Sequence, residues 1–249
     1  MESCCVRHTE IAGTARLFTD FLYHFDRVSD FYPSYPLDFQ KTLDSAREIN
    51  FPDDRRHAIA TALEELNGPS ALIEKLRRPE TVVVVTGQQA GLYGGPCYAI
   101  YKALTAVRYA NDLNAAGQPA VPVFWIATED HDFAEIDHTW VYTRAVEPKK
   151  LTAQGNGRPQ QPVGGIALTQ VPQQELREAL AGFPFSDEVL ELVEKAYQPG
   201  RSFGEAFRIL IQSLLGDHQV LFIDPMAASV RKIAAPFLRQ AALQATALS

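Results

Sequence analysis

Cysteine is scarce. The 249 residues hold three, Cys4, Cys5 and Cys97. Three thiols cannot build a disulfide framework or a zinc ribbon, and the adjacent pair is poorly placed to bridge to itself. Free thiols in a reducing, cytoplasmic setting are therefore expected. Positive charge is also short, 23 Lys and Arg against 30 Asp and Glu, which leaves a net charge of -7. That balance argues against a nucleic-acid partner bound through its backbone, because such binding needs a broad cationic surface. It leaves room for a small anion site, since a few oriented N–H groups hold phosphate without net positive charge. A membrane-spanning run is missing too: the longest uncharged window, 81–101, carries Gly87, Gln88, Gln89, Gly91, Gly94 and Gly95 together. Glu2, Arg7, Glu10 and Arg16 occupy the N-terminus in place of the apolar stretch of a secretory leader. No membrane partner is expected.

At roughly 150 residues per domain, the length suggests one to two domains with a core that needs no staples. The first eighty residues predict helices. Residues 14–25 place Leu17, Phe18, Phe21, Leu22 and Phe25 at a spacing near 3.6. Pro52 with Asp53 and Asp54 opens a helix that Asn67, Gly68 and Pro69 stop, and 70–76 forms a short one. Between Phe31 and Phe39, Pro33 and Pro36 rule out a long helix.

From Thr81 the period changes. Residues 82–85 are a β-branched run, expected as a strand buried on both faces. Ten residues of loop follow, then Pro96 opens a helix that Gly117 closes, and 121–127 is a second buried strand with Pro122 at its start. Strand, helix, strand at this spacing is the βαβ unit of a parallel sheet. Further on, 139–143 predicts a strand, 147–162 a loop or hairpin excursion, and 163–168 a short strand. Helices over 173–180, 187–197 and 202–215 lead to a third buried strand, 219–223, and a last helix over 227–248. The fold class is α/β.

Two polar features follow these strands. The turn Thr86-Gly87-Gln88-Gln89-Ala90-Gly91-Leu92-Tyr93-Gly94-Gly95-Pro96 is neither a Walker A loop nor G-x-G-x-x-G. Its glycines let a ligand approach the backbone, and it leads into a helix N-terminus that favours phosphate or carboxylate. Such a crevice beyond the strand ends is where open parallel sheets bind ligands. The plainer alternative is a tight strand-to-helix turn; four glycines with two glutamines favour the ligand site. Lys102 lies under two turns along the helix, within reach. Cys97, Ile100, Leu104 and Val107 form an apolar stripe on that helix, so Cys97 is expected in the core rather than as a nucleophile.

After the second strand come Glu129, Asp130, His131 and Asp132, with Glu135, Asp137 and His138 close behind. Like charges crowded there are expected to raise one carboxylate's pKa and to poise His131 for proton transfer. The spacing of His131 and His138 matches no familiar zinc motif, and a solvated acidic loop is the alternative. Asp224, after the third strand, is placed like a site residue or a helix cap.

At these residues the sequence resembles a known family. VVTGQQAGLYGGPCYAIYKALTAV followed by PVFWIATEDHDFAEIDH is similar to BshC, the family of cysteine-adding ligases. SFGEAFRILIQSLLGDHQVLFIDP and KIAAPF extend the likeness, from about residue 20 to the end. The resemblance implies addition of L-cysteine to glucosaminyl-malate, the last step of bacillithiol synthesis, on a Rossmann-like core related to nucleotidyltransferases and class I aminoacyl-tRNA synthetases. It divides the chain into an N-terminal helical segment (1–80), a first βαβ half (81–143), a connective insertion (144–200) and a return to the core (201–249). Gly87, Gln88, Gln89, Gly91, Gly94, Gly95 and Lys102 would then face substrate or nucleotide. Glu129, Asp130, His131 and Asp132 would line the same crevice as catalytic groups. No histidine stands in 91–95, where related synthetases carry their HxGH signature. Amide formation needs an activated carboxyl, so ATP is the expected co-substrate, with a divalent metal left open. Family members run about twice this length, so the resemblance implies a C-terminally truncated member, lacking the rest of the sheet and the coiled coil and with it a homodimer contact. Nucleotidyl transfer to another small anion, or a binding remnant without chemistry, are the competing readings.

Overall fold

Four consecutive valines start the sheet. In a computed structural model that describes residues 6–32 and 38–245, they open β1 (Val82–Gln88). Cys4, Cys5, Pro33 and Pro36 lie outside the described residues. The chain divides into two compact units, one up to Asn50 and one from Phe51 onward.

The first unit holds α1 (Arg16–Tyr23) and α2 (Phe39–Glu48) with short 3₁₀ turns. Arg16 and Arg27 both bridge to Asp20, and Phe21, Phe25 and Tyr32 stack as an aromatic group. Asp38 caps α2 by accepting the Lys41 N–H.

The second unit is built on a parallel sheet of order β1-β2-β7, with β2 (Ala120–Ile126) in the middle and β7 (Leu221–Ile223) at one edge. The connection from β1 to β2 is α5 (Tyr98–Ala115), as the βαβ pattern predicts. Pro122 sits one residue before the pairing of β2 with β7 begins at Val123. Helices α3 (Asp53–Asn67) and α4 (Ala71–Leu76) lie on one face, where Ala60, Leu63, Ile73 and Leu76 meet Val121, Val123 and Leu221. They therefore belong with the sheet, and the division falls thirty residues before the boundary expected at residue 80. The other face packs Phe124, Ile126 and Phe222 against Ala99 and Ala103 of α5 and Phe203, Phe207 and Leu210 of α9 (Phe203–Leu215). Burying these side chains, at about 1.5–3 kcal/mol each, is the main force holding the layers together.

Asn67, at the end of α3, closes the β7 edge. Its side chain donates to Phe222 O (2.8 Å) and accepts from Phe222 N (2.7 Å), standing in for a neighbouring strand. The β1 edge has no such cover. Val83 and Val85 remain 41% and 61% exposed, contrary to the expectation of a strand buried on both faces. They share the face of Val121 and Val123, their partners in register, but α3 and α4 pack mainly on β7 and β2.

Between β2 and α9 the chain makes an excursion. After α6 (Phe133–Ile136), a hairpin pairs β3 (His138–Tyr142) with β4 (Pro148–Thr152), and β5 (Gln154–Gly155) pairs with β6 (Leu168–Gln170). The strand expected over 163–168 is a 3₁₀ turn at Val163–Gly165, with a β-bridge at Ala167 and the strand itself starting at Leu168. Val163 and Gly164 give their N–H groups to the loop after β2, not to a ladder. Helices α7 (Gln173–Ala179) and α8 (Ser186–Ala196) complete the excursion, and α10 (Ala228–Leu243) follows β7. Among the described residues, no helix is long and apolar enough to cross a membrane.

Candidate functional site

The carboxyl ends of β1, β2 and β7 open on one side of the sheet. Gln88 and Ile126 are register partners, and Ala127 still donates to Gln88 O (3.0 Å), so the turns after β1 and β2 start side by side. This placement brings together the two polar features read from the sequence.

Two of the four glycines in the first turn serve close approaches, and the other two serve backbone conformation. A Cβ on Gly87 would lie 2.7 Å from Trp125 O, and one on Gly91 would lie 2.8 Å from Gly95 Cα. Gly94 (φ 91°) and Gly95 (φ 65°) take left-handed conformations that side chains resist. Gly91 and Gly94 are buried, and their backbone faces inward onto Tyr197, at the end of α8. The Tyr197 hydroxyl donates to Gly91 O (3.0 Å) and accepts from Gly94 N (3.2 Å). Its ring meets Tyr93 edge to face at 5.1 Å. Burial pushes the Tyr197 phenol well above its ordinary pKa, so it stays a neutral donor. No local signal in the sequence connects Tyr197 with a turn a hundred residues earlier.

Ala90 and Leu92 of this turn are buried in the core, while its two glutamine side chains lie on the side of the crevice. Lys102 reaches it as expected: its ammonium donates to Gly87 O (3.2 Å) and Gln88 Oε1 (2.9 Å), and lies 5.1 Å from the Tyr98 ring centre. Gln88 Nε2 donates to Gln89 Oε1 (2.7 Å), and Gln89 Nε2 donates to Glu135 Oε2 (3.1 Å). A chain of oriented amides thus runs from a cation on α5 to a carboxylate on α6. Cys97 is exposed at the start of α5 and not in the core. The helix face on the sheet is lined instead by the small residues Ala99, Ala103, Ala106 and Ala110 with Val107 and Leu113.

The turn after β2 shows its charges to solvent. Asp130 Oδ1 accepts the N–H groups of His131 (2.6 Å) and Asp132 (3.1 Å). These bonds, the one from Asp132 foremost, hold its carboxyl below the usual range, with Gln89 helping. Crowding of like charge was expected to raise a carboxylate here; backbone donors win because they sit at contact distance while the neighbouring charges are solvated. The His131 ring is 68% exposed, with Nδ1 3.7 Å from Asp130 Oδ1. Glu129 accepts from Trp125 Nε1 (2.9 Å), and Asp132 is exposed ahead of α6. His138 lies apart, bonded to Asp137 at 2.8 Å. Among the described residues, no three His, Cys, Asp or Glu are grouped to hold a metal ion.

Thr128, unmarked in the sequence reading, is fully buried beneath this turn and donates to Asp224 at the end of β7. Asp224 Oδ1 also accepts the Met226 N–H (2.8 Å), so it braces the turn before α10 rather than capping that helix, whose N-cap is Ala227 without a side-chain bond.

A family model described as bacillithiol biosynthesis BshC, N-terminal Rossmann-like domain, matches residues 1–249. A protein of Solibacter usitatus named "Putative cysteine ligase BshC" is 45% identical over 97% of this chain and 46% of its own length. Proteins of the same name from Koribacter versatilis and Salinibacter ruber are 34% and 36% identical, over 98% and 90% of the chain. The chain spans about half the length of the curated relatives it matches. With a parallel sheet in a mixed α/β unit and a family match over every residue, the chain belongs to the BshC family of bacillithiol biosynthesis.

Proposed function

We propose that this crevice serves a ligase that joins the carboxyl of L-cysteine to the amine of glucosaminyl-malate, with ATP supplying the activation. The observation that carries the reading is the meeting of Lys102, Gln88 and Gln89 with Asp130 and His131 at the ends of adjacent parallel strands. The names of the relatives support the cysteine-ligase class.

A free carboxylate does not condense with an amine in water, so the carboxyl must first carry a leaving group; bound ATP supplies it. The residues that fit its phosphates are Lys102 and the two glutamines. An ammonium has three donors, and Lys102 places two on Gly87 and Gln88, which leaves one for an anion. The exposed Glu129 and Asp132 stand at the same mouth, so a polyanion there calls for a divalent cation on its own phosphates.

The attacking amine arrives protonated and must lose a proton. His131 is the base in this reading: its ring is open to solvent, with Nδ1 3.7 Å from Asp130 Oδ1. Gln88, Gln89 and Glu135 fix the floor on which the acyl group rests.

The purified protein, given ATP, L-cysteine and glucosaminyl-malate, is expected to release one nucleotide product per amide formed. Turnover without nucleotide would remove ATP from the scheme, and an unchanged rate in His131→Ala would remove the base assignment. Binding of ATP and cysteine with no turnover would make this crevice a binding module instead.

A further inference from the structure

We propose that Thr128 and Asp224 form a latch that positions the turn carrying Asp130 and His131, which makes them positioning residues for the chemistry of this crevice. The inference rests on the reading of the crevice as a ligase centre.

Thr128 is the convergence point of four segments. It follows β2, and its fully buried hydroxyl donates to Asp224 after β7. Its carbonyl accepts the Gly164 N–H at 2.8 Å, from the 3₁₀ turn of the excursion. Its methyl side fills space left by two glycines: a Cβ on Gly204, in the first turn of α9, would come within 2.6 Å of Thr128 Cγ2, and one on Gly164 within 2.8 Å of Thr128 Cβ. Two residues on, Asp130 O accepts the Val163 N–H at 2.7 Å. The turn is thereby pinned at Thr128 and again at Asp130, directly before His131.

The sheet does not need this latch. β2 and β7 are already paired through Val123–Leu221, Phe124–Phe222 and Trp125–Ile223. What the hydroxyl–carboxylate bond adds is a fixed relation between the tails beyond the sheet. Asp224 is itself held by the Met226 N–H, so its carboxylate is presented in one orientation. Reacting groups work only when held close to productive geometry by side chains locked from behind, and a buried hydroxyl on a half-buried carboxylate is such a lock. The glycines at 164 and 204 show that neighbouring segments are shaped around Thr128.

The test compares Thr128→Val and Asp224→Ala, which remove the bond, with Thr128→Ser and Asp224→Asn, which keep a donor and an acceptor. In the ligase assay the first pair is expected to lose at least tenfold in kcat with KM for cysteine within about twofold, and the second pair to recover to within about threefold of wild type. Equal kcat in all four would overturn the latch. If Thr128→Val does not fold, Asp224→Ala carries the comparison. If the wild-type protein shows no turnover, the ligase reading fails on its own, and the latch is decided by hydrogen exchange. Amides of His131 and Asp132 are expected to exchange at least tenfold faster in Asp224→Ala and at the wild-type rate in Asp224→Asn; unchanged exchange in Asp224→Ala overturns it.

Discussion

Two turns leave the same edge of the sheet one strand apart, and they are built in opposite senses. The turn after β1 points its backbone inward: Gly91 and Gly94 are buried and bonded to the Tyr197 hydroxyl. The turn after β2 is pinned from beneath by Thr128 and leaves Glu129, His131 and Asp132 in solvent. In the first, shape comes from the absence of side chains. In the second, a buried threonine and the Asp130 carboxylate hold the shape, and the charges of Glu129, His131 and Asp132 face solvent. Stability should therefore answer to substitutions in the first turn, and chemistry to substitutions in the second.

The largest effect is expected at Gly91. An added Cβ meets the Gly95 backbone, which has no flexible end to swing aside. Gly91→Ala should cost about 1–3 kcal/mol, read as a melting point lower by roughly 3–10 °C for a unit of this size. A wild-type melting point would mean that the turn yields, and the contrast between the two turns would go with it. Tyr197→Phe comes next. It removes two buried hydrogen bonds, worth about 1–3 kcal/mol together. It also predicts a pH signature. The folded phenol's pKa is raised by burial, so its contribution is complete below the unfolded value of about 10 and is lost as pH climbs past it. Urea midpoints of wild type and Tyr197→Phe should hold a constant gap up to about pH 10 and draw together as pH rises beyond it; a gap that stays constant there would place the phenol elsewhere.

How much of this was legible beforehand follows the same division. Local signals worked: the valine run, Pro96, Gly117 and the βαβ spacing placed β1, α5 and β2, and the acidic run after a buried strand marked the second turn. Lys102 was found because helix geometry puts it under two turns from the glycines. Partners distant in sequence were invisible. Nothing near Tyr197 announces Gly91, and Thr128 reads as one more residue of a strand end until Asp224, Gly164 and Gly204 are brought around it. Cys97 departs from its stripe because it stands ahead of the first turn of α5, while Ile100 and Leu104 do pack on the core and Val107 is buried beside the alanines. Val83 and Val85 were misplaced because residue type reports what a strand tolerates and not whether α3 and α4 extend far enough to cover it.

In the second turn the effects on stability shrink. Asp130 has its carboxyl pKa lowered by the N–H groups of Asp132 and His131. A lowered folded value stabilises above the unfolded value of about 3.9 and is lost as pH falls through the folded one. Wild type should exceed Asp130→Asn at pH 6 by less than the Tyr197→Phe difference, since the group is largely solvated, and the gap should close in strong acid. A gap that persists there would trace to the shape of the turn rather than to its charge.

Lys102 should sharpen the comparison most, because its expected effect on stability is the smallest. It sits on the helix that follows the first turn, yet its ammonium is exposed and its two acceptors, Gly87 O and Gln88 Oε1, can turn to water when it is gone. Lys102→Met should thus melt within about 0.5 kcal/mol of wild type. If the open donor faces an anion, the same variant should bind ATP at least tenfold more weakly in calorimetry. A large loss of stability with unchanged binding would make Lys102 a pin of the glycine turn, and the cation of the crevice would have to be sought elsewhere.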